Sequence, residues 1–281
     1  MAEPLLDVDL LTVTFPTGYS GRPVAVVDGI SFTLGPEKLA LVGESGSGKS
    51  MTARALLGLV PAPGEVTAHR LALNGEDMQE FGPKDWTRVR GAALGLVLQD
   101  PRFALNPLHT VGRQVEEALV LHRRLSRAER RDRALAMLEA VGLPNPSAVY
   151  GLYPGQLSGG MGQRVMIAAM LIAEPKVLVA DEPTSALDES LRRQILDLLA
   201  QLADEKRMGL LLISHDLQQV ASFADRVLVM YRGRIVDRQA AADLAHSTHP
   251  YTRTLWSCRP SPATYGTRLP TLDRTELEGL R

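Results

Sequence analysis

The 281-residue sequence predicts an α/β fold around a buried parallel sheet, and three observations carry that reading. Apolar runs at residues 177–180, 210–213 and 227–230 are separated by helix-like stretches. Continuous apolar strands alternating with helices suit a parallel sheet. A glycine-rich octapeptide, residues 43–50, lies between the apolar run 39–42 and the helix-like stretch 51–59. The first 75 residues alternate apolar and polar, as in Leu11-Thr12-Val13-Thr14-Phe15 and Ile30-Ser31-Phe32-Thr33-Leu34. Such a period of two predicts an antiparallel sheet with one wet face.

Taken in chain order, Leu71-Ala72-Leu73 ends in an Asn74-Gly75 turn signal. The 51–59 helix stops near Gly58 and Pro61. Residues 111–142 read as helix, with a capping box at Ser126 and Glu129 and one face marked by Ala134, Leu135, Leu138 and Val141. Pro144, Pro146 and Pro154 then break the pattern, and beyond residue 240 the proline-rich chain reads as an irregular accessory tail. The arginines at 123, 124, 127, 130, 131 and 133 read as a solvated face, with phosphate or anionic lipid contact as the competing reading.

Composition narrows the function classes. The formal net charge of −1 offers no general attraction to nucleic acid. The one cysteine, Cys258, excludes an internal disulfide and a four-cysteine metal site. Residues 1–9 hold three acids and no basic stretch, unlike a signal peptide. The longest apolar run, 165–173, is far short of the roughly 20 residues that span a bilayer.

The octapeptide is Gly43-Glu44-Ser45-Gly46-Ser47-Gly48-Lys49-Ser50, a complete phosphate-loop pattern. Its glycines permit a tight turn whose N–H groups surround an anion, and the following helix start adds its positive dipole end. Lys49 is expected on the β- and γ-phosphates and the Ser50 hydroxyl on Mg²⁺. The strand 177–180 ends in Asp181-Glu182, which suits Asp181 for Mg²⁺ and Glu182 for the general base that orients water. Leu157-Ser158-Gly159-Gly160-Met161 opens another helix, with Ser158 as cap and a glycine start open to an anion.

These elements together resemble the ATP-binding cassette family of transport ATPases. Residues 43–50 match its Walker A element, Gln99 its Q-loop glutamine, and 157–161 its L-S-G-G-Q signature. Residues 177–182 match Walker B, 185–188 the D-loop, and His215 the switch histidine, in register across residues 5–240. The signature departs in carrying Met161 for Gln. The resemblance implies a P-loop NTPase (RecA-like) core with an antiparallel β subdomain and a helical signature subdomain, about residues 101–172, and a C-terminal tail, 241–281. It implies ATP and Mg²⁺ as cofactors, Gln99 among the Mg²⁺ and nucleotide ligands, Ser158, Gly159 and Gly160 on the γ-phosphate of an opposing subunit, and His215 holding water and base in line. Phe15 is the first choice for stacking on adenine and Tyr19 the second, against a core position for Phe15 in its strand.

One phosphate loop and one signature cannot make a sandwiched site, so the resemblance implies a second ATP-binding subunit, a sister chain or another copy. Residues 105–111 and the His249-Pro250-Tyr251-Thr252-Arg253 string look like the dipeptide, oligopeptide and nickel importer branch. That branch implies two integral-membrane permease subunits, an extracytoplasmic substrate-binding protein acting indirectly, no nucleic acid, and a place on the cytoplasmic face of the bacterial inner membrane. With Cys258 alone, the iron–sulfur cluster of many peptide importers is expected to be absent. The competing readings are a soluble cassette ATPase of DNA repair or translation, and an unrelated phosphate-loop kinase or GTPase.

Overall fold

A computed structural model describes residues 3–16, 23–184 and 187–259. Strands β1 (Leu6–Phe15) and β2 (Val24–Leu34) pair antiparallel, matching Leu6 to Leu34 and Phe15 to Val24. Strand β3 (Lys38–Val42) opens a second sheet and feeds the phosphate loop and helix α1 (Lys49–Leu56). β4 (Glu65–Thr67) and β5 (Arg70–Leu73) then return to β1. The Asn74-Gly75 signal is a tight hairpin to β6 (Glu76–Asp77), both turn residues lying at positive φ (49° and 81°), as a primed turn demands.

After α2 (Pro83–Val89), β7 (Leu94–Val97) leads into the helical subdomain. This comprises α3 (Pro101–Ala104), α4 (Val111–His122), α5 (Arg127–Ala140), α6 (Pro146–Gly151) and α7 (Gly159–Leu171). The chain then alternates through β8 (Val177–Asp181), α8 (Glu189–Lys206), β9 (Gly209–Ser214), α9 (Leu217–Phe223) and β10 (Arg226–Tyr231). β11 (Arg234–Ala240) and, after a 3-10 turn, α10 (Pro250–Ser257) complete the described chain. The second sheet has the order β11-β10-β3-β9-β8-β7, parallel throughout except for the β10–β11 hairpin at its edge.

Both faces of this sheet are covered, which is why its strands are apolar without alternation. Ala40, Val42, Leu178, Ala180, Leu210 and Leu212 point into a core shared with α4, α5, α7 and α8. Their neighbours Leu39, Leu41, Val177, Val179, Leu211 and Ile213 point into a second core shared with the antiparallel sheet and α1. The sheet therefore welds both subdomains to one scaffold. Each buried leucine, isoleucine or valine contributes roughly 1.5–3 kcal/mol.

The stretch 111–142 is two helices, because the capping box at Ser126 starts α5 afresh. The Ser126 hydroxyl accepts from the Glu129 N–H (3.3 Å) while the Glu129 carboxylate accepts from the Ser126 N–H (2.7 Å). Of the expected face Ala134, Leu138 and Val141 are fully buried, whereas Leu135, next to Ala134 on the helix, is only partly buried. The arginine run is partly structural: Arg123 and Arg130 donate to the Ala173 and Leu125 carbonyls, and Arg131 stacks on Tyr150. The described part of the tail, residues 241–259, is not irregular, and the rest of the tail lies outside the described residues. The described part folds back as α10, with Tyr251 and Thr252 fully buried.

Candidate nucleotide site

Strand register gathers the candidate residues. Val42 pairs with Ser214 on one side and Val229 on the other, Asp181 with Ile213, and Val97 with Ala180. The carboxyl ends of β3, β9, β8 and β7 thus share one edge, where open α/β sheets place their ligands. The phosphate loop leaves β3 there, His215 follows β9, Glu182 follows β8, and Gln99 lies two residues past β7.

Two loop glycines are dictated by close approach. A Cβ at Gly43 (φ +154°) would meet the Met230 carbonyl oxygen at 2.1 Å, and one at Gly48 (φ +109°) would meet the Val26 carbonyl oxygen at 2.6 Å. The loop is therefore pressed against β10 and β2, and no side chain fits between. The Ser47 N–H donates to the Glu44 carbonyl (3.1 Å), closing the turn, and the Gly233 N–H of the β10–β11 turn donates to the Ser47 carbonyl (2.9 Å). Lys49 is buried (6% exposed). Its ammonium donates to the Gly43 and Glu44 carbonyls at 2.8 Å each, and to the Ser47 hydroxyl at 3.4 Å. Burial pulls its pKa below the ordinary lysine value, opposed by the charges of Glu182, Asp181 and Glu44.

The Ser50 hydroxyl donates to the Asp181 carboxylate at 3.1 Å, so a hydroxyl and a carboxylate oxygen meet at the start of α1. Burial holds the Asp181 pKa above its ordinary value, the Ser50 hydrogen bond opposes the shift, and the negative charge of Glu182 adds to it. Glu182 takes a left-handed backbone (φ 48°), which costs a non-glycine residue roughly 1–3 kcal/mol and is characteristic of functional positions. Its N–H donates to the Ile213 carbonyl (3.0 Å), and its carboxylate lies 3.1 Å from Nδ1 of His215. Lys49, Ser50, Asp181, Glu182 and His215 are thus linked around one edge.

The signature lies elsewhere. The Ser158 hydroxyl caps α7 by accepting from the Met161 N–H (3.3 Å). Nothing stands within 4 Å of a Cβ at Gly159, whereas one at Gly160 would meet Leu191 of α8 at 2.3 Å. Gly159 keeps the helix start open, and Gly160 lets α7 approach α8. Ser158 and Gly159 line a groove of about 570 Å³ with Pro101, Arg102, Leu105 and Leu187, and no residue of 43–50 borders it. Gln163, two residues beyond Met161, is buried and donates to the Pro183 carbonyl, tying α7 to the turn after β8.

Two other placements bear on the expected ligands. Gln99 is exposed, and among the described residues no hydrogen bond joins it to Ser50 or Asp181. Phe15 is half-buried against the antiparallel core, with its ring over Gly64. Tyr19 and the D-loop residues Ser185 and Ala186 fall outside the described residues. Two contributions were missed in the sequence. Arg192 of α8 donates to the Leu187 carbonyl (3.4 Å) and lies 3.6 Å from Asp216, joining the segment before α8 to the one after His215. Tyr251 of α10 reaches the phosphate loop, its hydroxyl accepting from the Glu44 N–H at 3.2 Å.

Residues 27–185 match the family model described as ABC transporter. The chain belongs to the ABC transporter family. As a member it is an ATP-binding and ATP-hydrolysing cassette. It is 43% identical to the dipeptide transport ATP-binding protein DppD of Escherichia coli (strain K12) over 270 residues, covering 95% of this chain and 82% of that protein. It is 42% identical to the DppD of Bacillus subtilis (strain 168) over 276 residues, covering 97% and 82%. A putative peptide import ATP-binding protein of Brucella abortus (strain 2308) is 44% identical over 271 residues, covering 96% and 81%. The fold superposes on a solved dimeric ABC transporter cassette, MJ0796, with a TM-score of 0.73 and 30% identity, covering 84% of this chain and 98% of that one. A post-hydrolysis state of MJ0796 bound to ADP and Pi gives 0.73 at 29% identity, with the same coverage. The α/β architecture is accordingly that of an ABC ATPase cassette.

Proposed function

We propose that this ABC ATPase powers a peptide importer from the cytoplasmic face of the bacterial inner membrane, docked peripherally on two permease subunits. The observation that carries the reading is the likeness to peptide transport ATP-binding proteins over 95–97% of the chain, well beyond the residues 27–185 of the family model. No described helix is long and apolar enough to cross a membrane, so membrane contact falls to the permeases. Phe103 and Leu108, 87% and 81% exposed in the segment after Gln99, offer apolar contacts for them.

In the proposed cycle ATP lies with its phosphates on the loop 43–50, and Ser158, Gly159 and Gly160 of a second cassette, a sister chain or another copy, close over the γ-phosphate. The separate groove of Ser158 supports that division of labour. Ser50 and Asp181 present hard oxygen donors 3.1 Å apart, and the desolvated Asp181 carboxyl gains from a cation, so this pair fits Mg²⁺. When bound, Mg²⁺ supplies charge neutralisation on the phosphate oxygens. Gln99 stands near this edge as a further ligand on closure. Lys49 exchanges the loop carbonyls for phosphate oxygens, and Glu182 takes the proton of the attacking water while His215 orients it. Phe15 offers the exposed part of its ring to adenine.

The Asp181 site makes a stability prediction. Its pKa is raised on folding, so the folded state binds more protons than the unfolded chain between the ordinary value near 3.8 and the raised one. Stability falls as pH rises through that window, and the cost is complete once pH exceeds the raised value. Asp181→Asn is expected to raise the nucleotide-free thermal midpoint at pH 7 and to abolish the tightening of ATP binding by Mg²⁺. Thermal melts with Mg²⁺ titrations check both signs.

Transport decides the substrate. Purified with co-expressed permeases and reconstituted with a binding protein, the complex is expected to hydrolyse ATP faster with dipeptide-loaded binding protein and to import labelled dipeptide. Uptake of nickel or a nickel chelate without dipeptide uptake moves the cargo to the other substrates of that branch. Failure to co-purify with any permease favours a soluble cassette ATPase.

A further inference from the structure

The segment His249-Pro250-Tyr251-Thr252-Arg253 has no part in the chemistry so far, yet it meets the phosphate loop. α10 starts with Pro250 at its first position, where the missing N–H costs nothing. Tyr251 is fully buried, its ring 4.6 Å from that of Tyr231 at the end of β10. The helix is clamped at its next residue: the Thr252 and Ser247 hydroxyls donate to one Asp237 oxygen of β11 at 2.6 and 3.0 Å. The Tyr251 hydroxyl, held by this clamp, accepts from the N–H of Glu44, the second residue of the loop. The Glu44 carbonyl in turn accepts from Lys49 and from Ser47 N–H. The Gly43–Glu44 peptide unit thus stands between the α10 hydroxyl and Lys49, its N–H donating to Tyr251 and its carbonyl, that of Gly43, accepting from the Lys49 ammonium at 2.8 Å.

We propose that the Tyr251 hydroxyl is a positioning group of the nucleotide site, fixing the first turn of the phosphate loop through the Glu44 N–H, so that α10 belongs to the ATP site and not to an accessory tail. The inference rests on the reading of residues 43–50 as the phosphate-binding loop. Burial holds the Tyr251 hydroxyl well above the ordinary tyrosine pKa, so it stays neutral over the working range. The contact is made to the loop backbone, so its effect is expected on the binding of ADP and ATP alike, and less on the chemical step.

Tyr251→Phe keeps the ring beside Tyr231 and removes one oxygen, leaving the Glu44 N–H without its acceptor. In the full chain the variant is expected to weaken equilibrium binding of ATP and ADP about fivefold, the usual scale for one lost hydrogen bond. In hydrolysis the KM for ATP rises by a similar factor while kcat stays within about twofold. A merely structural role would lower the thermal midpoint and leave affinity and KM of the folded protein unchanged. That result overturns the proposal. If the variant fails to fold, amide exchange in the wild-type chain decides. A protected Glu44 amide that Thr252→Val exposes supports it, and a wild-type Glu44 amide exchanging at the solvent rate ends it. Absence of ATP binding by the wild-type chain would instead strike the phosphate-loop reading itself.

Discussion

Glu182→Gln is expected to bind ATP with near-native affinity and to lose about 10²- to 10⁴-fold in steady-state hydrolysis, the usual worth of a positioned general base. The amide has the shape of the carboxylate, and the backbone hydrogen bond from Glu182 to the Ile213 carbonyl survives, as does the left-handed turn that aims the side chain. What disappears is the proton acceptor 3.1 Å from Nδ1 of His215. With ATP bound and not cleaved, two cassettes should remain closed. Size-exclusion chromatography with ATP should then show a dimer, or a heterodimer with the sister chain. The competing assignment puts the base on His215. It requires His215→Ala to lose more turnover than Glu182→Gln, and Glu182→Gln to keep most of its activity. Phosphate release from both variants separates the two.

The parts of this site legible in the sequence are those in which chemistry and backbone geometry are contiguous. The loop 43–50 declares its own turn, and an apolar run ending in two acids declares both strand and strand tip. The alternating strands β1 and β2 were legible for the same reason, since a period of two maps onto one wet and one dry face. The prolines misled. Pro146 and Pro250 read as breaks, but each occupies the first turn of a helix, where proline is tolerated, with Asn145 and His249 in the capping position. The Asn145 side chain even accepts from the Ala148 N–H, a local bond that no periodicity displays. Strand β11 was hidden because it is an edge strand carrying Arg234, Asp237 and Arg238, with no buried side chain to reveal its period. The bond between Tyr251 and Glu44 spans 207 positions and depends on the whole sheet order, so no local pattern announces it.

The sheet also explains why the missed elements matter. The phosphate loop is walled by the Met230 carbonyl, by Gly233 of the β10–β11 turn and by Tyr251, all contributed by the last third of the chain. The candidate catalytic edge is built from strand ends whose sequence positions run from 42 to 214. A loop so enclosed keeps its shape without ligand, which lowers the ordering cost when phosphates arrive.

Lys49→Ala should abolish measurable nucleotide binding. A buried ammonium that contacts phosphate loses roughly 2–5 kcal/mol of binding when truncated, which is about 30- to several-thousand-fold in Kd. The loss has two sources. The direct contact goes, and Asp181 and Glu182, both coupled to Lys49 by charge, are left facing the phosphates without the cation between them. Their repulsion of a polyanion then adds to the deficit, and the penalty should grow as ionic strength falls. The fold should survive, because the acceptors of the ammonium all belong to the loop itself and Lys49 is part of neither hydrophobic core. The wild-type chain carries its own signature of the same group. Burial lowers the Lys49 pKa, so ATP affinity is full while the amine is protonated and declines at alkaline pH, beginning below the ordinary lysine value of 10.5. In Lys49→Ala any residual affinity should lose that decline. Isothermal titration across pH 7 to 10, at two salt concentrations, tests both statements, and native affinity in the variant at any pH would remove Lys49 from the phosphates.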